Sequence, residues 1–161
     1  MKRKYKEIEV FKASTDRKEL IPVIDGGISA GFPSPAQDFL DKAIDLNEEV
    51  VRNPASTYFA RVKGRSLEGI MLFDGDILVI DKSLTPVIND LVVCIVDGDF
   101  AVKFLIQKGE DMYLKSANRE FSPIKIESIG QEVRIWGKVT WTFWNNKNLI
   151  QRFKDWELVS E

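Results

Sequence analysis

The spacing of hydrophobic residues changes near Thr57, from a helical period to a period of two. Beyond this point, short runs of β-branched and aromatic residues alternate with Gly, Asp, Asn and Pro breaks, a pattern typical of strands and turns. The predicted strands are 58–63, 77–80, 91–96, 100–107, 112–116 and 133–143. A tight-turn signal at Asp97, Gly98 and Asp99 makes the strands on either side antiparallel neighbours. The pattern predicts a mainly β body.

A helical pattern precedes this body. Ser34 and Pro35 match a helix start, and Gln37 can complete a capping box with the serine. The apolar residues that follow have helical spacing and predict a helix over about residues 35–44. A second short helical turn is expected near residues 46–51.

The two ends of the chain have different patterns. Residues 1–33 combine charged stretches with a glycine-rich run and contain too few apolar groups to build a core, so we expect a flexible N-terminal arm or a frayed terminus. At the other end, apolar residues from Leu149 to Leu158 have roughly helical spacing. They predict a C-terminal helix that covers an edge or face of the sheet.

Composition narrows the possible classes of protein. A chain of 161 residues fits one domain, and its net charge of −2 gives no general attraction to nucleic acid, so sequence-specific DNA binding is not expected. The single cysteine, Cys94, lies in an apolar run and is interpreted as a buried small hydrophobe. Without a disulfide framework, signal peptide or apolar span, we expect a soluble cytoplasmic protein with no membrane contact. The sequence contains no zinc, phosphate-loop or dinucleotide motif, so no metal or other cofactor is expected.

The candidate chemistry is a serine and a lysine in a chain without histidine. Ser66 follows a predicted strand and Gly64, where a turn can expose its hydroxyl group. Lys103 lies in a predicted strand with apolar residues on both faces, which is typical of a strand covered on both sides. Burial disfavours the charged form of an amine, and a neutral amine can accept the proton of serine. The two residues are a candidate serine-lysine dyad.

Each of these residues also has a simpler interpretation. Most loop serines have no chemical role, and Lys103 could extend its ammonium group to water past its apolar neighbours. Asp74 and Asp76 could suggest a metal site, although Asp-Gly-Asp before a strand more often forms a turn.

Several motifs together resemble the LexA/UmuD-like self-cleaving serine peptidases, and most closely their UmuD branch. The resemblance extends from about Ser29 to Trp144. It rests on the segments 30–36, 44–47, 58–59, 64–67, 74–76, 97–100, 102–103, 118 and 121–124. The N-terminal DNA-binding domain of the LexA-like repressors does not fit in the short arm of this chain, which favours the UmuD branch.

The resemblance implies a fold of several small, curved antiparallel sheets. It also implies a catalytic Ser66 with Lys103 as its base, and a scissile bond between Ala30 and Gly31. Residues 1–30 would then be an arm removed by self-cleavage, and 31–161 the peptidase-like domain. In this family a RecA filament on single-stranded DNA stimulates cleavage, and the shortened homodimer joins a UmuC-like Y-family DNA polymerase in the SOS response to DNA damage.

The sequence departs from the family pattern beside the nucleophile. Arg65 and Leu67 replace the usual acidic or small residue and the usual methionine, and residues from Lys147 onward extend past the usual end. Two alternatives therefore stay open. One is a catalytically idle dimeric module that binds a polymerase or RecA, and the other is a signal-peptidase-like enzyme that cleaves other chains, which the lack of a membrane anchor disfavours.

Overall fold

Most of the chain forms antiparallel β-structure in the computed structural model, which describes residues 7–13, 20–23, 42–126 and 133–153. Within these ranges an eight-stranded sheet has the order β1-β4-β5-β10-β6-β7-β8-β9, and β2 and β3 form a separate pair. The strands are β1 Ile8–Lys12, β2 Leu20–Val23, β3 Lys42–Asp45, β4 Thr57–Val62, β5 Ile77–Asp81, β6 Leu91–Val96, β7 Asp99–Lys108, β8 Asp111–Lys115, β9 Ile124–Lys125 and β10 Val133–Phe143. The prediction of a mainly β, antiparallel fold is confirmed. The resemblance implied several small sheets, whereas eight of the described strands join in one continuous sheet.

All six strands predicted from the alternating pattern are present, with bounds within one residue of the prediction. The predicted hairpin between β6 and β7 is also confirmed, because Val96 pairs with Asp99 across the turn. Asp97 and Gly98 have φ angles of 50° and 86°. Positive φ at both central residues suits a two-residue turn whose twist matches that of the flanking strands.

The predicted helix at 35–44 is wrong over its last residues, because Lys42–Asp45 is a strand. Residues 35–41 lie outside the described residues. Tertiary pairing explains the difference: β3 pairs antiparallel with β2, and Ile44 lies opposite Ile21. Such pairing supplies hydrogen bonds that local spacing does not reveal.

The predicted helical turn near 46–51 is confirmed as the helix α1, Leu46–Val50. The side chain of Asp45 caps it by accepting a hydrogen bond from the Asn47 amide at 2.9 Å. A carboxylate at this position pairs an amide that would otherwise have no partner in the first turn. The helix therefore begins directly where β3 ends.

Two strands lie in the segment for which the sequence predicted an arm. β1 is an edge strand of the large sheet and pairs antiparallel with β4. Ile8 in β1 is buried in a core cluster with Ala60, Val62, Leu67, Leu72, Leu78, Ile80, Val93 and Val102. This part of the N-terminal segment therefore contributes to the core of the protein.

The large sheet is curved. β10 has an irregularity in its register with each neighbour, between Ile135 and Gly137 against β6 and between Val139 and Trp141 against β5. Bulges of this kind bend a strand and increase its twist. The curvature brings the start of β1 to β7, where the amide of Val102 donates a hydrogen bond to the Glu7 carboxylate at 2.8 Å.

The described chain ends in a 3₁₀ turn, Asn146–Asn148, and the helix α2, Leu149–Arg152. The prediction of a short C-terminal helix is confirmed, while its predicted continuation to Leu158 lies outside the described residues. Along the described ranges, no helix is long and apolar enough to cross a membrane.

Candidate functional site

Ser66 lies in a turn between β4 and a 3₁₀ turn at Glu68–Ile70. Gly64 enters this turn with a φ of 72°, a conformation that favours glycine because it has no Cβ. Leu67 is buried in the core cluster, whereas Ser66 is exposed. The buried leucine therefore fixes the backbone next to a serine whose side chain reaches the surface.

Hydrogen bonds join the two ends of the loop around Ser66, residues 63–76, to each other. The Asp74 carboxylate accepts a bond from the Gly64 amide at 2.8 Å, and the Gly75 amide donates to the Val62 carbonyl at 2.9 Å. Asp76 accepts a bond from the Phe73 amide at 2.9 Å. These contacts confirm the prediction of a turn at Asp74 to Asp76, and no group of three or more potential metal-ligating side chains occurs in the described part of the chain.

Lys103 lies in the middle of β7, between β6 and β8. Its side chain is 2% exposed. The neighbouring Ala101, Val102 and Leu105 are also buried, so the prediction of a strand covered on both faces is confirmed. The alternative in which the lysine extends its ammonium group to water is wrong.

Glu7 joins the Ser66 loop to β7. Its main-chain carbonyl accepts a hydrogen bond from the Lys63 amide at 2.9 Å, at the start of the loop. Its carboxylate accepts the Val102 amide and lies 3.7 Å from Nζ of Lys103. Glu7 therefore contacts both the loop that carries Ser66 and the strand that carries Lys103.

The two departures from the family pattern beside Ser66 have separate structural explanations. Arg65 is 79% exposed and forms an ion pair with Glu68, with Nε 2.9 Å from Oε1. Its charge therefore points to solvent and is partly neutralised by a neighbour. Leu67 fills a buried position, as an apolar side chain of similar volume to methionine can.

Cys94 is confirmed as a buried hydrophobe. It is fully buried in β6, and its thiol donates to the Ala101 carbonyl with a sulfur-to-oxygen distance of 3.4 Å. Burial raises the pKa of the Cys94 thiol to about 12. Since the thiolate is the nucleophilic form, this cysteine is a poor candidate for catalysis.

We expect the Cys94 thiol of the folded protein to resist a thiol reagent such as dithionitrobenzoate at mildly alkaline pH. A raised pKa keeps the thiol protonated, and burial blocks access. Spectrophotometric labelling should give less than about one tenth of the rate measured in guanidinium chloride. Rapid labelling of the native protein would contradict the burial of this side chain.

The predicted scissile pair, Ala30 and Gly31, lies outside the described residues, in the connection between β2 and β3. The strands on either side of it pair antiparallel, with Val23 opposite Lys42. The chain therefore leaves and re-enters the described structure at neighbouring positions.

Sequence reasoning missed two charged residues that support this region, Glu7 and Arg152. Arg152 in α2 is buried and forms an ion pair with Asp76, with Nη2 at 2.5 and 2.6 Å from the two carboxylate oxygens. It also donates to the Met71 carbonyl, inside the Ser66 loop. Arg152 had no local signal of this role, because Leu149 and Ile150 beside it in α2 are exposed.

Comparison with known proteins identifies the family. A family model described as peptidase S24-like matches residues 22–140, which include Ser66 and Lys103. MucA of Salmonella typhimurium is 39% identical over 135 residues, covering 83% of this chain and 92% of that protein. SamA of the same species is 36% identical, covering 74% of this chain and 81% of that protein. The LexA repressor of Colwellia psychrerythraea is 34% identical, covering 74% of this chain and 56% of the repressor. The chain belongs to the peptidase S24-like family and, within it, to the UmuD-like proteins.

Proposed function

We propose that this protein is a self-cleaving serine peptidase that cuts its own chain between Ala30 and Gly31. Ser66 is the nucleophile and Lys103 is the general base. The observation that carries the proposal is the burial of Lys103 in β7, where its partner Glu7 also bonds the start of the loop that carries the exposed Ser66. Membership of the S24-like family supports a serine peptidase.

The reaction needs a neutral Lys103 amine. This amine takes the Ser66 hydroxyl proton as Oγ bonds to the Ala30 carbonyl carbon, and the proton then passes to the amine of Gly31 as the peptide bond breaks. Water hydrolyses the resulting ester, which restores Ser66 and releases the Ala30 carboxylate. A small alanine before the bond and a glycine after it favour close approach of the backbone to the serine.

The biological role that we propose is cytoplasmic and belongs to SOS mutagenesis. A RecA filament on single-stranded DNA stimulates cleavage, and the shortened chain acts as a homodimer with a UmuC-like Y-family DNA polymerase at lesions. The similarity to MucA and SamA supports this role. The near-balanced charge of the chain supports recruitment by proteins over direct DNA binding.

The test is incubation of the purified full chain at alkaline pH, with and without an activated RecA filament, followed by intact mass spectrometry. We expect a fragment that begins at Gly31 and contains residues 31–161, because alkaline pH increases the neutral fraction of an amine. The filament should produce the same fragment at neutral pH. If no such fragment forms in any of these conditions, the proposal is wrong.

A second candidate function is a catalytically idle binding module with the same partners. The ion pair between Glu7 and Lys103 favours it, because the lysine side chain already has a buried partner other than Ser66. In cells, Ser66→Ala should abolish the mutagenic function of a peptidase, and a chain that begins at Gly31 should retain it. For an idle module, Ser66→Ala should have no effect.

A further inference from the structure

Glu7 lies on the N-terminal side of the proposed cleavage site and makes three contacts in the region of the proposed dyad. Its carbonyl is bonded to the Lys63 amide, and its carboxylate is bonded to the Val102 amide and paired with Lys103. The side chains of Glu7 and Lys103 are 10% and 2% exposed. Little water screens this pair, so its charges interact more strongly than those of a surface pair.

The pair has a consequence for the reaction that we propose. A nearby carboxylate favours the charged form of an amine, and an ammonium group has no lone pair to accept the serine proton. Cys94 of β6 also interacts with Lys103, and its raised pKa keeps the thiol neutral. Glu7 therefore supplies a buried negative charge close to Lys103.

The position of Glu7 in the chain adds a second consequence. It lies directly before β1, and β1 is an edge strand that pairs with β4 alone in the sheet. An edge strand can separate from a sheet by breaking one ladder of hydrogen bonds. Displacement of β1 would remove the carboxylate from Lys103 and leave the β7 ladder with β6 and β8 intact.

We propose that Glu7 is a positioning residue that restrains self-cleavage by holding the Lys103 side chain in a buried ion pair while β1 is in place. This inference rests on the proposed function. When β1 separates in the uncut chain, the Lys103 side chain is released from this pair and can act on Ser66 as the proposed base. The N-terminal segment thus both carries the scissile bond and controls the base that cleaves it.

The test compares the pH profile of self-cleavage in the wild-type full chain and in Glu7→Gln. The glutamine keeps an oxygen that can accept the Val102 amide but removes the negative charge. We expect the rising limb of the profile to move to lower pH by at least about one unit, so the rate at neutral pH increases about tenfold or more. Intact mass spectrometry at each pH supplies the rates.

The matched control is Glu9→Gln, which removes a carboxylate from the same strand. Glu9 pairs with Lys63 at 3.4 Å, and both side chains are exposed, so the profile should match that of the wild type. Glu7→Met removes the charge with a different shape and should give the same shift as glutamine. Thermal unfolding of each variant identifies the samples that are folded at the assay temperature.

The outcomes separate this inference from the function on which it rests. If the wild-type chain cleaves itself and both Glu7 variants have the wild-type profile, Glu7 does not restrain the base and the inference is wrong. If the Glu7 variants cleave more slowly but their pH profile does not shift, Glu7 has a purely structural role, and the inference is again wrong. If no chain cleaves at any pH or with the RecA filament, the proposed function itself fails, and the inference with it.

Discussion

Replacing Arg152 by alanine should lower the free energy of unfolding by about 3–5 kcal/mol, the usual cost of breaking a buried ion pair. The side chains of Arg152 and Asp76 are both 0% exposed. The alanine variant leaves the Asp76 carboxylate buried without its cation. It also removes a guanidinium that lies 4.6 Å from the ring centre of Phe73 and 4.7 Å from that of Trp144.

The position of this pair explains why the effect should be large. Asp76 also accepts hydrogen bonds from the Phe73 amide at 2.9 Å and the Asn145 amide at 2.8 Å. Asn148 adds a bond to the Asp74 carbonyl at 3.0 Å. The C-terminal segment therefore holds the end of the Ser66 loop by hydrogen bonds and an ion pair. We expect Arg152→Ala to increase the mobility of this loop as well as to lower the free energy of unfolding.

Chemical denaturation followed by tryptophan fluorescence measures the effect. The matched control is Arg52→Ala, because Arg52 is 73% exposed and its ion pair with Glu49 spans 3.8 Å. Exposed pairs of this kind contribute about 0–1 kcal/mol. A loss below about 1 kcal/mol for Arg152→Ala would show that the buried pair does not form in solution.

The strands of the body could be predicted because their signal is local. The short apolar, β-branched runs of β5 and β6, and the turn residues after β6, are properties of neighbouring positions in the sequence. β1 carried a weak form of this signal, since Ile8 and Val10 alternate with Glu9. The charged residues around it favoured an arm, and burial of Ile8 by distant strands outweighed that tendency.

The supporting contacts of the site could not be predicted in the same way. Glu7 and Val102 are 95 positions apart, and Arg152 and Asp76 are 76 positions apart. A charge in an arm and a charge in a C-terminal helix each resemble a solvated side chain when read locally. Only the curvature of the sheet and the return of the C-terminal segment bring them to buried partners.

Replacing Ser66 by alanine should reduce the rate of self-cleavage by roughly a thousandfold or more, because the nucleophile is removed. Ser66 is exposed, so the free energy of unfolding should change by less than about 0.5 kcal/mol. This substitution therefore tests the effect on the cleavage rate without a change in the stability of the fold. The appearance of the fragment that begins at Gly31, followed by intact mass, is the measurement.

Lys103→Arg is the more specific test of Lys103 as the general base. Arginine keeps the positive charge and can still pair with Glu7, but its guanidinium is not deprotonated in proteins and cannot accept the serine proton. We expect the rate to fall about as far as in Ser66→Ala, at every pH at which the protein is folded. Circular dichroism checks that the larger side chain is tolerated, and Lys103→Met gives a second variant without a base.

The control for both variants is Cys94→Ala, which removes the single cysteine of the chain. Its thiol is buried and its pKa is raised to about 12, so cleavage should continue at close to the wild-type rate. Cleavage that persists in Ser66→Ala would assign the reaction to another nucleophile or to a contaminating protease. Cleavage that persists in folded Lys103→Arg would show that a different group takes the serine proton, and the burial of Lys103 would then be a property of the fold alone.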